Sequence, residues 1–254
     1  MIKKILFPFF CFFISFNCYS QIWEVSPNNQ FEKHFEEAYN TYPSIPRGIL
    51  ESIAYTKTHI QHIEPEYGIP SCTGLPHHFG VMGLVENGKN YFRNSLEKVA
   101  EISKYSAEDI KNNPRINILA FAKAYNELLE INNLKNEPIQ KQLKVIDELS
   151  EIPNNQNSAN NFAFDTQVYS ILKNLLDPKF QEAYNLPKYE FNLEEVFGAE
   201  NFKILNSTNV LINNERINGQ RYNSNYSRLA PPCNDVSGSF PYAILSAAAD
   251  PSNY

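Results

Sequence analysis

Apolar positions recur at helical spacing along most of the chain. Phe31, Phe35 and Tyr39 stand at i, i+4 and i+8 with Ala38 beside them, while Glu32, Lys33, Glu36 and Glu37 face away. That spacing predicts a helix over 31–42. A second helix begins at Ser44-Ile-Pro46, with Ser44 as a cap and Pro46 in the first turn. Its apolar face is Ile49, Leu50, Ile53 and Ala54, reaching to Ile60. Phe92, Leu96, Val99 and Ile102 predict a third helix over 91–102, and Ser106-Ala-Glu-Asp109 opens a short one as a capping-box variant. Pro114 starts the strongest helix, through 130, striped by Ile118, Phe121, Ala122, Tyr125, Leu128 and Leu129. Ile139, Leu143, Ile146 and Leu149 predict a helix over 138–149. After a polar break at 154–161, helical spacing resumes over 162–176 with Phe164, Val168, Ile171, Leu172 and Leu175.

Beyond Pro187 the character changes. A short helix is expected over 191–197, and 202–212 has strand-like composition with little alternation. From Asn213 the chain is rich in Asn, Ser, Pro and Gly and has no sustained period, which reads as linker. The expected fold is therefore mainly α: a helical domain over 21–185, then an extended, poorly structured segment over 186–254. The apolar patch at 242–249 stands five residues before Tyr254, so a downstream module is expected beyond that point.

The chain is organised around residues 46–84. Six of its nine glycines fall between Gly48 and Gly88. Glycine gathers where backbone must turn with positive φ or approach something closely. Residues 62–80 hold Pro65, Pro70, Pro76, Gly68 and Gly74 and read as a long loop, a kind that is usually functional in a compact domain.

The first twenty residues stand apart from this pattern. Lys3 and Lys4 precede an apolar run over 5–16, and Asn17-Cys18-Tyr19-Ser20 leads into Gln21. That is the order of a secretory leader cut after Ser20. The run is shorter than the roughly 20 apolar residues that span a bilayer. A lipoprotein acylated at Cys18 is the alternative. Without residues 1–20, which contain no acid, the formal charge moves from −6 to −8. Such a chain repels nucleic acid and anionic lipid. The expected location is the cell envelope or the medium, and a monomer is expected. Only Cys72 and Cys233 survive cleavage, and one bridge between them is an open possibility in an exported protein.

Candidate chemistry centres on Glu51. It lies about 130° from the centre of the apolar face of its helix, on the solvent or cleft side. A carboxylic acid beside an apolar face can have its pKa raised and can protonate a glycosidic oxygen. The other reading is an ordinary surface glutamate. His59 and His62 at i, i+3, with His77 and His78 in the loop, could converge on a metal, although no recognised ligand spacing is present. Cys72 with a nearby histidine lacks a nucleophile motif, and no phosphate-cradling glycine pattern occurs. Tyr55, Phe79, Tyr91 and Tyr125 could stack on sugar rings or fill the core; for Tyr125 the core is the simpler reading.

Three segments, taken in order, resemble the soluble lytic transglycosylases. They are Pro46-Arg-Gly-Ile-Leu through Thr58, then Gly80-Val-Met-Gly-Leu84, then Asn113-Pro-Arg-Ile-Asn-Ile118 with Tyr125 and Leu128-Leu129. That family shows a helix ending in Glu-Ser, a Gly-Ala-x-Gly-Leu-Met loop and an Asn-Ile-x-x-Gly-x-x-Tyr-Leu helix. The resemblance covers about residues 44–176 and implies a lysozyme-like fold. It places the family's Glu-Ser pair at Lys57-Thr58, with Glu51 nearly two turns too early. A lysine would repel the oxocarbenium-like charge of the transition state. The resemblance thus implies a glycan-binding cleft built from Lys57, Thr58, Gly80, Val81, Met82, Gly83 and Tyr125, with the proton donor lost.

The chain also resembles the N-terminal part of secreted bacterial N-acetylmuramoyl-L-alanine amidases, in which such a region precedes a zinc amidase module. That resemblance implies peptidoglycan glycan strands as the partner, with zinc expected only in a module beyond Tyr254. Two other expectations stand beside it. One is an active glycan-cleaving enzyme using Glu51; the other is an envelope interaction protein with no sugar site.

Overall fold

A computed structural model describes residues 29–64, 76–86, 92–152 and 158–207, with backbone alone at 29 and 158–160. The fold is mainly α. The expected leader over 1–20, with Cys18, and also Cys72, Cys233, Tyr91, the glycines at 68, 74 and 88, and everything beyond 207 lie outside the described residues.

A 3₁₀ turn at Asn29–Phe31 leads into α1 (Glu32–Thr41), which buries Phe35, Ala38 and Tyr39, as the spacing predicts. The next helix, α2 (Ile49–Thr58), starts later than its Pro46 suggests. Residues 46–48 form a turn, and Gly48 adopts φ +89°, a left-handed value open to glycine. A Cβ at Gly48 would also meet Leu186 Cδ1 at 2.7 Å. Ser44 therefore does not cap α2. Two backbone N–H groups there, those of Gly48 and Leu50, donate to the hydroxyl of Tyr39 at 2.8 and 3.2 Å. A side chain from α1 does the work of a cap, satisfying N–H groups a helix start leaves without partners. α2 ends with His59 and Ile60 at φ 51° and 55°. Ile60 is β-branched and strained there; its side chain is wholly buried, which offsets the strain.

β1 (His78–Phe79) pairs antiparallel with β2 (Leu84–Val85), so residues 80–83 form the turn between them. Gly80 also bridges back to Ile63. Then come α3 (Ser95–Ser103), capped by Asn94, and α4 (Ala107–Asn112), capped by Ser106 as its sequence predicts. α3 begins four residues after the expected start. The long helix α5 (Pro114–Ile131) has Pro114 in its first turn and Asn113 accepting from the Ile116 N–H. α6 (Leu143–Leu149) is shorter than expected, because residues 138–142 run in turns. α7 (Ser158–Leu176) starts within the expected polar break. α8 (Pro178–Ala183), α9 (Leu193–Phe197) and α10 (Ala199–Leu205) complete the described fold. The strand-like composition at 202–212 yields helix as far as Leu205: Leu205 packs with Ile152, Phe162, Ala163 and Tyr169, a pairing by helix docking that β-favouring residues do not oppose strongly.

α5 is the central post, packed by α1, α3, α4 and α6. α2 lies against α7 and buries Ile49 through Ala54 and Thr58. Gly48, Gly80 and Gly83 of the glycine-dense region are buried. Among the described residues no helix is long and apolar enough to cross a membrane.

Candidate functional site

The last turn of α2 and the 80–83 turn meet face to face. Thr58 Oγ1 lies within donating reach of two carbonyls, Ala54 O at 2.8 Å and Val81 O at 2.6 Å. The first is its own helix and the second is the turn, so Thr58 ties one to the other. From the other side, Asn117 of α5 clamps the turn. Its Oδ1 accepts from the Met82 N–H at 2.8 Å, and its Nδ2 donates to Ile110 O at 2.9 Å. Asn117 is wholly buried, and both ends of its amide are used.

The two glycines of the turn are required by contact and by conformation. A Cβ on Gly80 would lie 2.0 Å from Asn117 Nδ2, and one on Gly83 would lie 2.8 Å from Lys57 Cβ. Both have positive φ, +69° and +57°. Their backbone presses against α5 on one side and α2 on the other. Val81 and Met82, between them, are wholly buried. Tyr125 is also wholly buried and donates to Gln142 Oε1 at 3.1 Å. Of the residues that the resemblance assigns to a glycan cleft, Lys57, Thr58, Gly80, Val81, Met82 and Gly83 lie together, with Val81 and Met82 turned into the core, whereas Tyr125 is buried against Gln142.

Lys57 is the chemical centre of the cluster. Its Nζ lies 2.5 Å from Glu151 Oε2, and each side chain keeps 5% of its exposure. Gly83 O is a further acceptor at 3.4 Å. Glu151 stands in the turn after α6 and receives Gln167 Nε2 of α7 on its other oxygen at 2.9 Å. His78 Nε2 approaches that same oxygen at 4.0 Å. Arg93 holds the turn in place: its backbone N–H donates to Glu151 O at 2.7 Å and its guanidinium donates to Ile152 O at 2.5 Å. Burial alone would raise the Glu151 pKa. The Lys57 ammonium and the His78 ring outweigh it and hold the carboxyl at about 2. For His78, burial leads and Lys57 adds, lowering its pKa against the pull of Glu151. The ring remains partly exposed and is the solvent-facing member of the group.

Glu51 is placed differently from its sequence expectation. It is 7% exposed, neither on a solvent face nor in a cleft. The wheel angle assumed one apolar side to α2, whereas α1, α7 and residues 186–191 enclose its first turns. Tyr39 donates its O–H to Glu51 Oε2 while accepting from the α2 N–H groups. Desolvation raises the Glu51 pKa to about 7 despite that hydrogen bond. Tyr39 is shifted well upward, first by burial and then by the neighbouring carboxylate.

The four histidines do not form one group. His59 packs edge-on against Tyr55 at the end of α2, His77 is exposed, and His78 joins Glu151. His62 has a pKa lowered by burial. Among the described residues no three His, Cys, Asp or Glu side chains converge on a possible metal position.

Sequence reasoning missed Glu151, Gln167 and the capping role of Tyr39. Glu151 carries one usable signal: it is an acid between the apolar Leu149 and Ile152 at the end of a helical stripe. Gln167 carries none, because its partner is a side chain 16 positions away on another element. Comparison of the chain with family models, with curated proteins and with solved structures returned no match.

Proposed function

We propose that this chain is a secreted, cell-wall-directed helical module that holds peptidoglycan glycan strands and leaves them uncut. The Lys57–Glu151 ion pair carries the reading. It occupies the position where the lytic transglycosylase resemblance expects a proton-donating acid. A lysine there, its charge answered by Glu151, is no carboxylic-acid proton donor, and its partner carboxylate titrates near 2, far below the range of a proton donor at neutral pH. Glu51, the other acid of α2, is enclosed and hydrogen-bonded to Tyr39, out of reach of a bound strand.

The backbone geometry suits holding. Turn 80–83 is fixed from both sides by Thr58 and Asn117, so it is a rigid, buried support for the strand that carries His78. His78 at its mouth is a partly exposed ring able to donate and accept. The leader over 1–20 accords with delivery to the envelope. Positioning an N-acetylmuramoyl-L-alanine amidase on the strand is the associated role the second resemblance implies.

The experiment uses residues 21–254 and purified sacculi. The expected result is co-sedimentation with sacculi and no cleared zone in a peptidoglycan zymogram. Clearing that disappears in Glu51→Gln would overturn the non-cleaving reading. Absence of sedimentation would overturn glycan binding altogether.

A further inference from the structure

A run of hydrogen bonds leads from the turn after α6 through the interior toward the ring of His78. The Ile152 N–H donates to Ser150 Oγ at 3.1 Å. A hydroxyl has one proton, and Ser150 gives it to Gln167 Oε1 at 3.0 Å. The Gln167 amide is thereby set with its oxygen toward Ser150 and its NH2 group donating to Glu151 Oε1 at 2.9 Å. Turned over, the amide would put its oxygen against a carboxylate oxygen, two acceptors face to face among buried side chains. Lys57 Nζ donates to the other oxygen, Oε2, at 2.5 Å. Both oxygens of Glu151 receive donors, so the hydrogen-bond directions alone make it a carboxylate.

His78 stands at the outer end of this run. β1 turns Phe79 into the core, and alternation along the strand turns His78 the other way, where its side chain keeps 38% of its exposure. Its Nε2 lies 4.0 Å from Glu151 Oε1. An N–H at Nε2 is attracted by that anionic oxygen, whereas a bare lone pair is repelled by it. The ring aims its two nitrogens in nearly opposite directions, so Nδ1 faces away from the carboxylate.

We infer that Glu151 holds the single proton of the neutral His78 ring on Nε2, and that the ring offers Nδ1 outward as an acceptor that selects what docks there. Given the glycan-holding reading, on which this contact rests, the group that Nδ1 takes is a donor. Sugar hydroxyls and the acetamido N–H of a peptidoglycan strand are of that kind. A carboxylate or carbonyl oxygen, which brings no proton, is turned away at this point. His78 is thus a specificity-determining residue, and Ser150 and Gln167 are positioning residues that act through Glu151.

The tautomer is read on the full chain at pH 8 by long-range proton–nitrogen NMR of the imidazole rings, with His78 identified by its loss in His78→Asn. The expected result is a protonated Nε2 and a bare Nδ1. A proton on Nδ1, in whole or in half, would overturn the inference. The contact is read by sedimentation with sacculi. An asparagine carries its amide where Nδ1 stands, and a glutamine carries it where Nε2 stands. His78→Asn is therefore expected to stay within about twofold of the wild type and His78→Gln to bind about tenfold more weakly. Equal behaviour of the two variants, with circular dichroism matching the wild type, would overturn the contact. A wild type that does not sediment would overturn the glycan reading instead, because the tautomer is measured without glycan.

Discussion

Lys57 Nζ and Glu151 Oε2 lie 2.5 Å apart at the end of α2, with both side chains almost closed to water. Neither residue forms the site alone. The ammonium is neutralised by an acid 94 positions away, and the acid is seated by Gln167 and by the backbone of Arg93. A buried pair of this kind is strongly interdependent, because removing one partner leaves a charge without compensation.

That interdependence is measurable by a double-mutant cycle. Lys57→Met alone and Glu151→Gln alone are each expected to destabilise the fold by about 3–5 kcal/mol in denaturant unfolding. The double variant should lose less than the sum of the two. Additive losses would mean the two charges do not act as a pair.

Acid should expose Glu151. Its folded pKa of about 2 lies below the ordinary 4.5, so its contribution is complete above 4.5 and is lost as pH falls from 4.5 toward 2. The loss is on the order of 3 kcal/mol. Unfolding midpoints followed from pH 5 to pH 2 check this, and Glu151→Gln should flatten that limb.

Glu51 works in the opposite direction. Its folded pKa of about 7 lies above the ordinary 4.5, so its contribution is complete below 4.5 and is lost as pH rises from 4.5 through 7. Wild-type stability should therefore drop by about 3 kcal/mol across that window. In Glu51→Gln the drop should shrink, as read by urea unfolding at pH 5.5 and 8.

The 80–83 turn should tolerate no side chain at its glycines. Gly80→Ala places a Cβ on the Asn117 amide at positive φ, and Gly83→Ala presses on Lys57. Each is expected to lower stability by about 1–3 kcal/mol or more. Thermal unfolding checks this. Gly198 offers the contrast, since a Cβ there has open space and only the backbone φ of +77° opposes it.

Asn117→Ala should strand the Met82 N–H and the Ile110 carbonyl inside the core. A loss of about 2–3 kcal/mol is expected, with weaker retention on sacculi because the turn loses one of its two ties. Retention unchanged at lowered stability would separate the turn from glycan binding.

The helices were readable where period and cap agreed. Ser106 and Asn113 mark α4 and α5 because a cap is a local contact between a side chain and an N–H a few residues on. The start of α2 was not readable. Pro46 and Ser44 offer a plausible beginning, but Gly48 and the Tyr39 hydroxyl decide it, and Tyr39 belongs to another helix.

Glu51 and Lys57 show the same division at the site. A helical wheel assigns faces by assuming one apolar side, and α2 is enclosed on several. The sequence by itself determined the helical class, the glycine-dense turn and the lysine where the lytic transglycosylase resemblance expects an acid, because period, glycine content and residue identity are local properties. Only the tertiary structure decided that Lys57 is answered by Glu151 and that Glu51 is buried against the Tyr39 hydroxyl. Those partners come from separate elements, and burial, which sets the protonation of both acids, exists only once the elements have packed.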